Sequence, residues 1–332
     1  MRDPAFRRTL MELVMLAAPM TSLLGCGGGH SPPDASSEGQ IFDPCPNSNT
    51  VVRQEPEPPS AALLDLVRAC EADVRQCDAL CQQVLYGEPI ANATLHSCAV
   101  EHTPTGHTIT VGYCWVGAEG RRPHGLASAR RRCPDATGAH LARAAFYEAA
   151  SIHAFVQLAR ELSHYRAPLR LVHAVRRAAV DEIGHARLMA GLARARGAAP
   201  PPLVVTTPRR RSLEAIAIEN AREGVVGETW SAMIALWQSR HAPSAALRAS
   251  YDQIATDELR HAEVALEIAA WTRARLSPAA RCRVQQERDR ALAGLARSVR
   301  RSPPAAIVRE LGVPDRATTQ RLYSSARARL WT

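Results

Sequence analysis

The stretches Asp181-Glu182-Ile183-Gly184-His185 and Asp257-Glu258-Leu259-Arg260-His261 constrain this chain more than anything else in it. Each sets a glutamate three residues before a histidine, so on a helix the carboxylate and the imidazole share one face about one turn apart. That is a metal-ligand spacing. The stretches also belong to a longer repeat. Glu148 lies twenty residues before Pro168, which lies fourteen before Glu182; Glu223 lies twenty before Pro243, which lies fifteen before Glu258. The chain therefore repeats one helical hairpin, with a lone Glu on the first helix, an Ala-Pro turn and a Glu-x-x-His on the second.

Apolar neighbours at helical spacing turn these polar groups inward. Glu148 shares its row with Leu141, Ala145, Ile152, Phe155 and Leu162; Glu223 shares its row with Ile216, Val226, Trp230, Ile234 and Trp237. Val175, Ala178, Leu188 and Leu192 flank Glu182 and His185, while Ile254, Ala255, Val264 and Ile268 flank Glu258 and His261. All six side chains are expected in the interior. An unpaired buried carboxylate costs several kcal/mol, and four of them need compensation. Two divalent cations would neutralise four carboxylates and engage both imidazoles. Pairing with the many arginines explains one such motif, but two copies at matched spacing favour a dinuclear metal site.

This pattern resembles the ferritin-like di-iron carboxylate superfamily, in which a four-helix bundle takes one Glu from each of two helices and a Glu-x-x-His from each of the other two. The resemblance covers about residues 138–275. It implies two iron ions, with manganese or zinc as alternatives. Glu148 and Glu223 would be terminal ligands, Glu182 and Glu258 bridging ones, and His185 and His261 would each hold one ion. The second motif looks like the Asp-Glu-x-Arg-His of the desaturase and monooxygenase branch, whereas the first has Gly184 where that branch has Arg. Asp181 and Asp257 match the aspartates that orient the imidazoles in that branch. On the third helix Glu223 is the preferred ligand. Glu219, one turn earlier on nearly the same face, is a possible additional ligand. Glu228, five residues on, would be rotated by about 140° on an α-helix and ranks last.

Helix boundaries follow from caps and breakers. The expected helices run from about Ala139 to Tyr165, Pro168 to Arg196, Leu213 to Arg240 and Ala245 to Leu276. The Pro-rich linker from Gly197 to Arg211 supplies the long crossover of ferritin-like folds. Ser212 can cap the third helix, and Ser277-Pro278 starts a fifth. The expected fold is thus mainly α, a ferritin-like four-helix bundle over residues 137–276 with a small cysteine-rich module before it. Residues 277–332 form a helical, arginine-rich tail, whose basic face would be solvated or would meet anionic head groups.

The chain of 332 residues carries a net charge of +9, which raises the question of nucleic acid. Its N-terminus points elsewhere, to no nucleic-acid partner. Arg2, Arg7 and Arg8 precede an apolar run from about Leu13 to Leu24, too short to span a membrane and followed by small residues. The run ends Leu23-Leu24-Gly25-Cys26, which resembles the lipobox of bacterial lipoproteins. On that resemblance residues 1–25 are a signal peptide and Cys26 is acylated. With two or more acyl chains it would anchor the protein in the cell envelope. Gly27 follows Cys26, and in Gram-negative lipoproteins the absence of Asp there is read as permission to reach the outer membrane. Residues 26–59 read as a flexible tether rich in Gly, Pro and Ser.

Residues 60–136 hold most of the remaining cysteines, and export favours a disulfide framework whose connectivity is open. Cys70, Cys77 and Cys81 form one stripe on an expected helix over residues 60–86. Strands are expected around a turn at Thr103-Pro104-Thr105-Gly106, and His96, His102, His107 and His124 read as exposed polar residues rather than ligands. No Cys-x-x-Cys pair exists, which argues against a zinc cluster or a rubredoxin-type iron centre. Two functions stand side by side. One is an exported di-metal oxidoreductase that reacts with dioxygen or peroxide. The other is a non-catalytic metal-binding or structural lipoprotein acting through its cysteine-rich module.

Overall fold

A computed structural model of the chain describes residues 4–17, 48–56, 61–73, 77, 80–81, 93–104, 106–115, 121–123, 126, 135–205 and 211–331. The protein is mainly helical, with a small cysteine-rich region ahead of the long helices. In that region β1 (Ser48–Pro56), β2 (Ala93–Thr103) and β3 (Gly106–Trp115) form an antiparallel sheet in the order β1-β3-β2. The hairpin β2–β3 turns where the sequence places it, with His102 opposite His107. Residues 48–56, assigned by composition to a tether, are instead an edge strand paired along β3. The β-branched run Thr50-Val51-Val52 suits a strand, but the surrounding Pro and Ser hide it.

Helix α2 spans Ala61–Ala72 and packs on β2. A single helix through residue 86 is not formed. Seven residues of continuous α-helix would separate Cys70 from Cys77 by about 10 Å. The two instead form a disulfide with their Cα atoms 4.2 Å apart, so the chain turns back after α2. A second disulfide joins Cys81 to Cys98 on β2. Cys45 and Cys133 lie outside the described residues, and Cys282 is an exposed free thiol.

The long helices begin with α3 (Ala136–His164), capped by the Asp135 carboxylate on the N–H groups of Thr137 and Gly138. A tight turn with Arg166 at φ 55° and Pro168 leads into α4 (Leu169–Arg194), which packs along α3. After the crossover, Ser212 caps α5 (Leu213–Glu219) as expected, accepting from the Ala215 N–H. The same helix continues as a π-helical segment π1 (Asn220–Glu228) and then as α6 (Thr229–His241). Ser244 caps α7 (Ala245–Arg273), which packs against α6, π1 and α4. The two hairpins therefore meet through α4 and α7, the helices that carry the Glu-x-x-His motifs.

Beyond Ser277-Pro278 lie α8 (Pro278–Ser298), α9 (Ala305–Leu311) and α10 (Arg316–Arg329). This tail is more than a solvated appendage. α8 lies against π1 and α5, α9 against α3, and the buried Trp331 indole donates to the Val225 carbonyl inside π1. The N-terminal helix α1 (Pro4–Leu16) also packs on the body, against α6 and α10. Its Leu10, Leu13 and Val14 are buried, Arg7 makes a two-pronged ion pair with Glu263, and Glu12 pairs with Arg329. Cys26 lies outside the described residues. Among the described residues no helix is long and apolar enough to cross a membrane.

Candidate metal centre

The hairpin repeat brings Glu148 from α3, Glu182 and His185 from α4, and Glu258 and His261 from α7 into one buried cluster. The third helix contributes Glu228, the last residue of π1, in place of Glu223. The ligand-capable atoms fall into two overlapping groups. Glu148, Glu182, His185 and Glu258 form one; Glu182, Glu228, Glu258 and His261 form the other, each with atoms within 4.8 Å of one another. Glu182 and Glu258 belong to both groups, so each stands between the two imidazoles.

His185 Nδ1 lies 3.6 Å from Glu148, 3.7 Å from Glu182 and 3.5 Å from Glu258. His261 Nδ1 lies 3.3 Å from Glu182, 3.7 Å from Glu258 and 3.9 Å from Glu228. Neither Nδ1 has a hydrogen-bond partner among the described residues, and neither do both oxygens of Glu182 and Glu228 or one oxygen each of Glu148 and Glu258. Buried polar atoms are nearly always satisfied. Here these eight atoms belong to the residues of the two overlapping groups, and a donor set of four carboxylates and two imidazoles suits divalent transition metals.

The outer nitrogens explain why the inner ones face the carboxylates. His185 Nε2 contacts Asp257 at 3.2 Å, and His261 Nε2 contacts Asp181 at 3.4 Å. The two contacts cross between hairpins, since the aspartate beside each Glu-x-x-His serves the imidazole of the other motif. Arg260 pairs with both aspartates and bridges them, and Gln253 donates to Asp257 at 3.0 Å. An aspartate at Nε2 keeps the hydrogen there and leaves the Nδ1 lone pair pointing inward.

Electrostatics follow from the burial of so many acids. Burial, together with the neighbouring carboxylates, raises the pKa of Glu148 and of Glu258 well above the ordinary value, and burial raises that of Glu228. Burial acts the same way on Glu182, but the imidazoles of His185 and His261 beside it outweigh that and lower its pKa. For the histidines burial opposes protonation. Asp181 and Glu182 overcome it at His261 and raise its pKa to about 9, and Asp257, Glu148 and Glu182 raise that of His185 further. Without a cation the cluster holds protons, which a metal would have to displace.

The exchange of Glu223 for Glu228 has a geometric cause. The rotation of about 140° over five residues assumes α-helical geometry. In a π segment the hydrogen bonds run from i to i+5, so residues five apart lie nearly one above the other. Glu228 therefore faces the side that α-helical spacing assigns to Glu223, one wide turn further along. Glu223 is half-buried near the positive charges of Arg122 and Arg222, and burial raises its pKa. Glu219 is not in the cluster either; it pairs with Arg211, which also binds Glu161. A π segment has no simple sequence signature, but Gly224 and Gly227 within it are a weak hint.

Arg121, from the segment preceding α3, is a second feature that sequence reasoning does not reveal. Its side chain is 1% exposed. It lies 3.3 Å from Glu228, donates to the Asn220 side chain at 2.7 Å and stacks its guanidinium over Phe155 at 5.1 Å. Asn220 in turn donates to the Ala265 carbonyl at 2.8 Å, and Ser151 donates to the Arg121 carbonyl at 2.9 Å. Only glycine at position 224 leaves room for that guanidinium, because a Cβ there would overlap it. Arg121 thus fixes Glu228 and offsets part of its charge. No protein-family model, curated protein or solved structure matches the chain.

Proposed function

We propose that the chain is an exported, membrane-anchored di-metal carboxylate protein, an oxidoreductase acting on dioxygen or peroxide, whose two hairpins make a ferritin-like four-helix bundle. The observation that supports this best is the convergence of unsatisfied buried carboxylate oxygens and imidazole Nδ1 atoms from Glu148, Glu182, His185, Glu228, Glu258 and His261. Glu148 and His185 would help hold one ion and Glu228 and His261 the other, with Glu182 and Glu258, which belong to both groups, available to both. Two ferrous ions, when bound, would together supply two electrons to the oxidant.

The remaining chemistry belongs to the protein. Asp181 and Asp257 hold the imidazole hydrogens at Nε2 and so present Nδ1 to the cations. Arg260 ties those aspartates together, and burial keeps bulk water from the carboxylates. Arg121 keeps Glu228 aimed at the cluster. The acylated Cys26 would hold the protein at the envelope surface. Anaerobic loading with ferrous iron followed by oxygen tests the reading. Two irons per chain and a new absorption band on exposure to oxygen are expected. One tightly held zinc with no response to oxygen would instead make the metal a structural staple.

A further inference from the structure

We propose that Glu71, His102 and His107 form a second metal site, outside the helical cluster, which binds one first-row divalent transition metal ion with an open coordination position toward solvent. His102 and His107 are directly opposed residues of β2 and β3, and Glu71 lies in the last turn of α2. Sequence alone marks these histidines as exposed polar residues. The hairpin instead places them side by side, and α2 brings a carboxylate to the pair.

His107 Nε2 stands 3.3 Å from His102 Nδ1 and 3.1 Å from Glu71 Oε1, and the three ligand atoms all lie within 4.8 Å of one another. One ring nitrogen carries either one hydrogen or one lone pair, so it cannot form a good hydrogen bond in both directions. A cation satisfies all three atoms at once. Ligands about 2.0–2.1 Å from a tetrahedral zinc ion lie about 3.3 Å from one another, close to the separations seen here.

The burial of the ring points the same way. His107 is only 7% exposed, and its Nδ1 is buried without a hydrogen-bond partner among the described residues. The ring is therefore held through Nε2, the atom that faces the other two ligands. Glu71 and His102 are exposed, which leaves a fourth position for water. The two disulfides reduce the ordering cost of assembly, since Cys70 adjoins Glu71 and the Cys81–Cys98 bond ties the same region to β2. Two imidazoles and one carboxylate suit zinc or copper and not calcium or magnesium, which take oxygen ligands.

Zinc retained after equilibrium dialysis of the full chain, counted by mass spectrometry, tests the site. The comparison pairs the chain with its His102→Asn variant, and repeats that pair in a His185→Asn/His261→Asn background. In both backgrounds His102→Asn is expected to lose one zinc per chain, and Glu71→Gln, on a different element and also exposed, is expected to do the same. Equal zinc within each pair overturns the proposal, whether or not the double variant still holds zinc. Because the readout is a difference, it is independent of the fate of the helical cluster.

Discussion

Asp257→Asn should weaken the metal bound by His185, on the other hairpin, rather than the one bound by His261 a turn away on the same helix. The Asp257 carboxylate accepts from three donors: His185 Nε2 at 3.2 Å, Gln253 Nε2 at 3.0 Å and the Arg260 guanidinium. Asparagine has the same shape but one acceptor oxygen, and its amide N–H must face one of those donors. One buried donor then goes unmatched, at a cost of about 1–3 kcal/mol. The imidazole also loses the acceptor that fixes its tautomer, so the affinity of the affected ion should fall about 10- to 100-fold. Calorimetric titration with cobalt or zinc resolves the two binding steps. A double-mutant cycle then assigns the loss, since coupled residues give non-additive effects. Asp257→Asn should add nothing to His185→Asn and should add in full to His261→Asn, with Asp181→Asn behaving in the opposite way. Full additivity of Asp257→Asn with His185→Asn would refute the crossed arrangement.

Glu228→Gln should cost the protein one of its two ions while Glu223→Gln keeps both, as counted after loading; the reverse result would restore α-helical geometry to the third helix. Protonation gives a second test, because the His261 pKa is raised from 6.5 to about 9 by Asp181 and Glu182 acting against burial. With the folded value above the unfolded one, the metal-free protein draws stability from His261 that is fully present below pH 6.5 and lost as pH rises through 9. Metal must displace that proton, so affinity should rise over the same window by up to about tenfold per pH unit for each proton released, measurable as proton release into weak buffer. Gly224→Ala should displace Arg121, since the added carbon would also lie 2.7 Å from Asn220 Oδ1 and 2.8 Å from Ala265 Cβ. Loss of a buried ion partner costs about 3–5 kcal/mol, readable by urea denaturation. Gly184→Ala, inside α4 with no atom within 4 Å of its new carbon, is the control and should instead stabilise by about 0.5–1 kcal/mol. Cys26→Ala should move the protein from the membrane fraction to the soluble one and abolish incorporation of labelled palmitate.

How far the site is legible in the sequence depends on the range of the interaction that places each residue. Glu182 with His185, and Glu258 with His261, need only helical spacing, and Glu148 needs only the apolar row around it, so five of the clustered ligands are readable. The aspartates are readable as neighbours of the imidazoles, but their crossing is not, because it depends on how α4 meets α7. Glu228 is hidden for a stronger reason: the rule used to place it is itself broken locally. A π segment forgoes regular α-helical hydrogen bonds and survives where other groups compensate. Those groups come from far away, with Arg121 occupying the space above Gly224 and Trp331 donating to the Val225 carbonyl. The same distance dependence hides the pairing of β1 and the reversal of the chain after α2. The wide turn, Arg121 and Trp331 therefore act as one unit that sets which glutamate reaches the cluster. A local change to any of the three should shift the ligand on the third helix before it unfolds the hairpin.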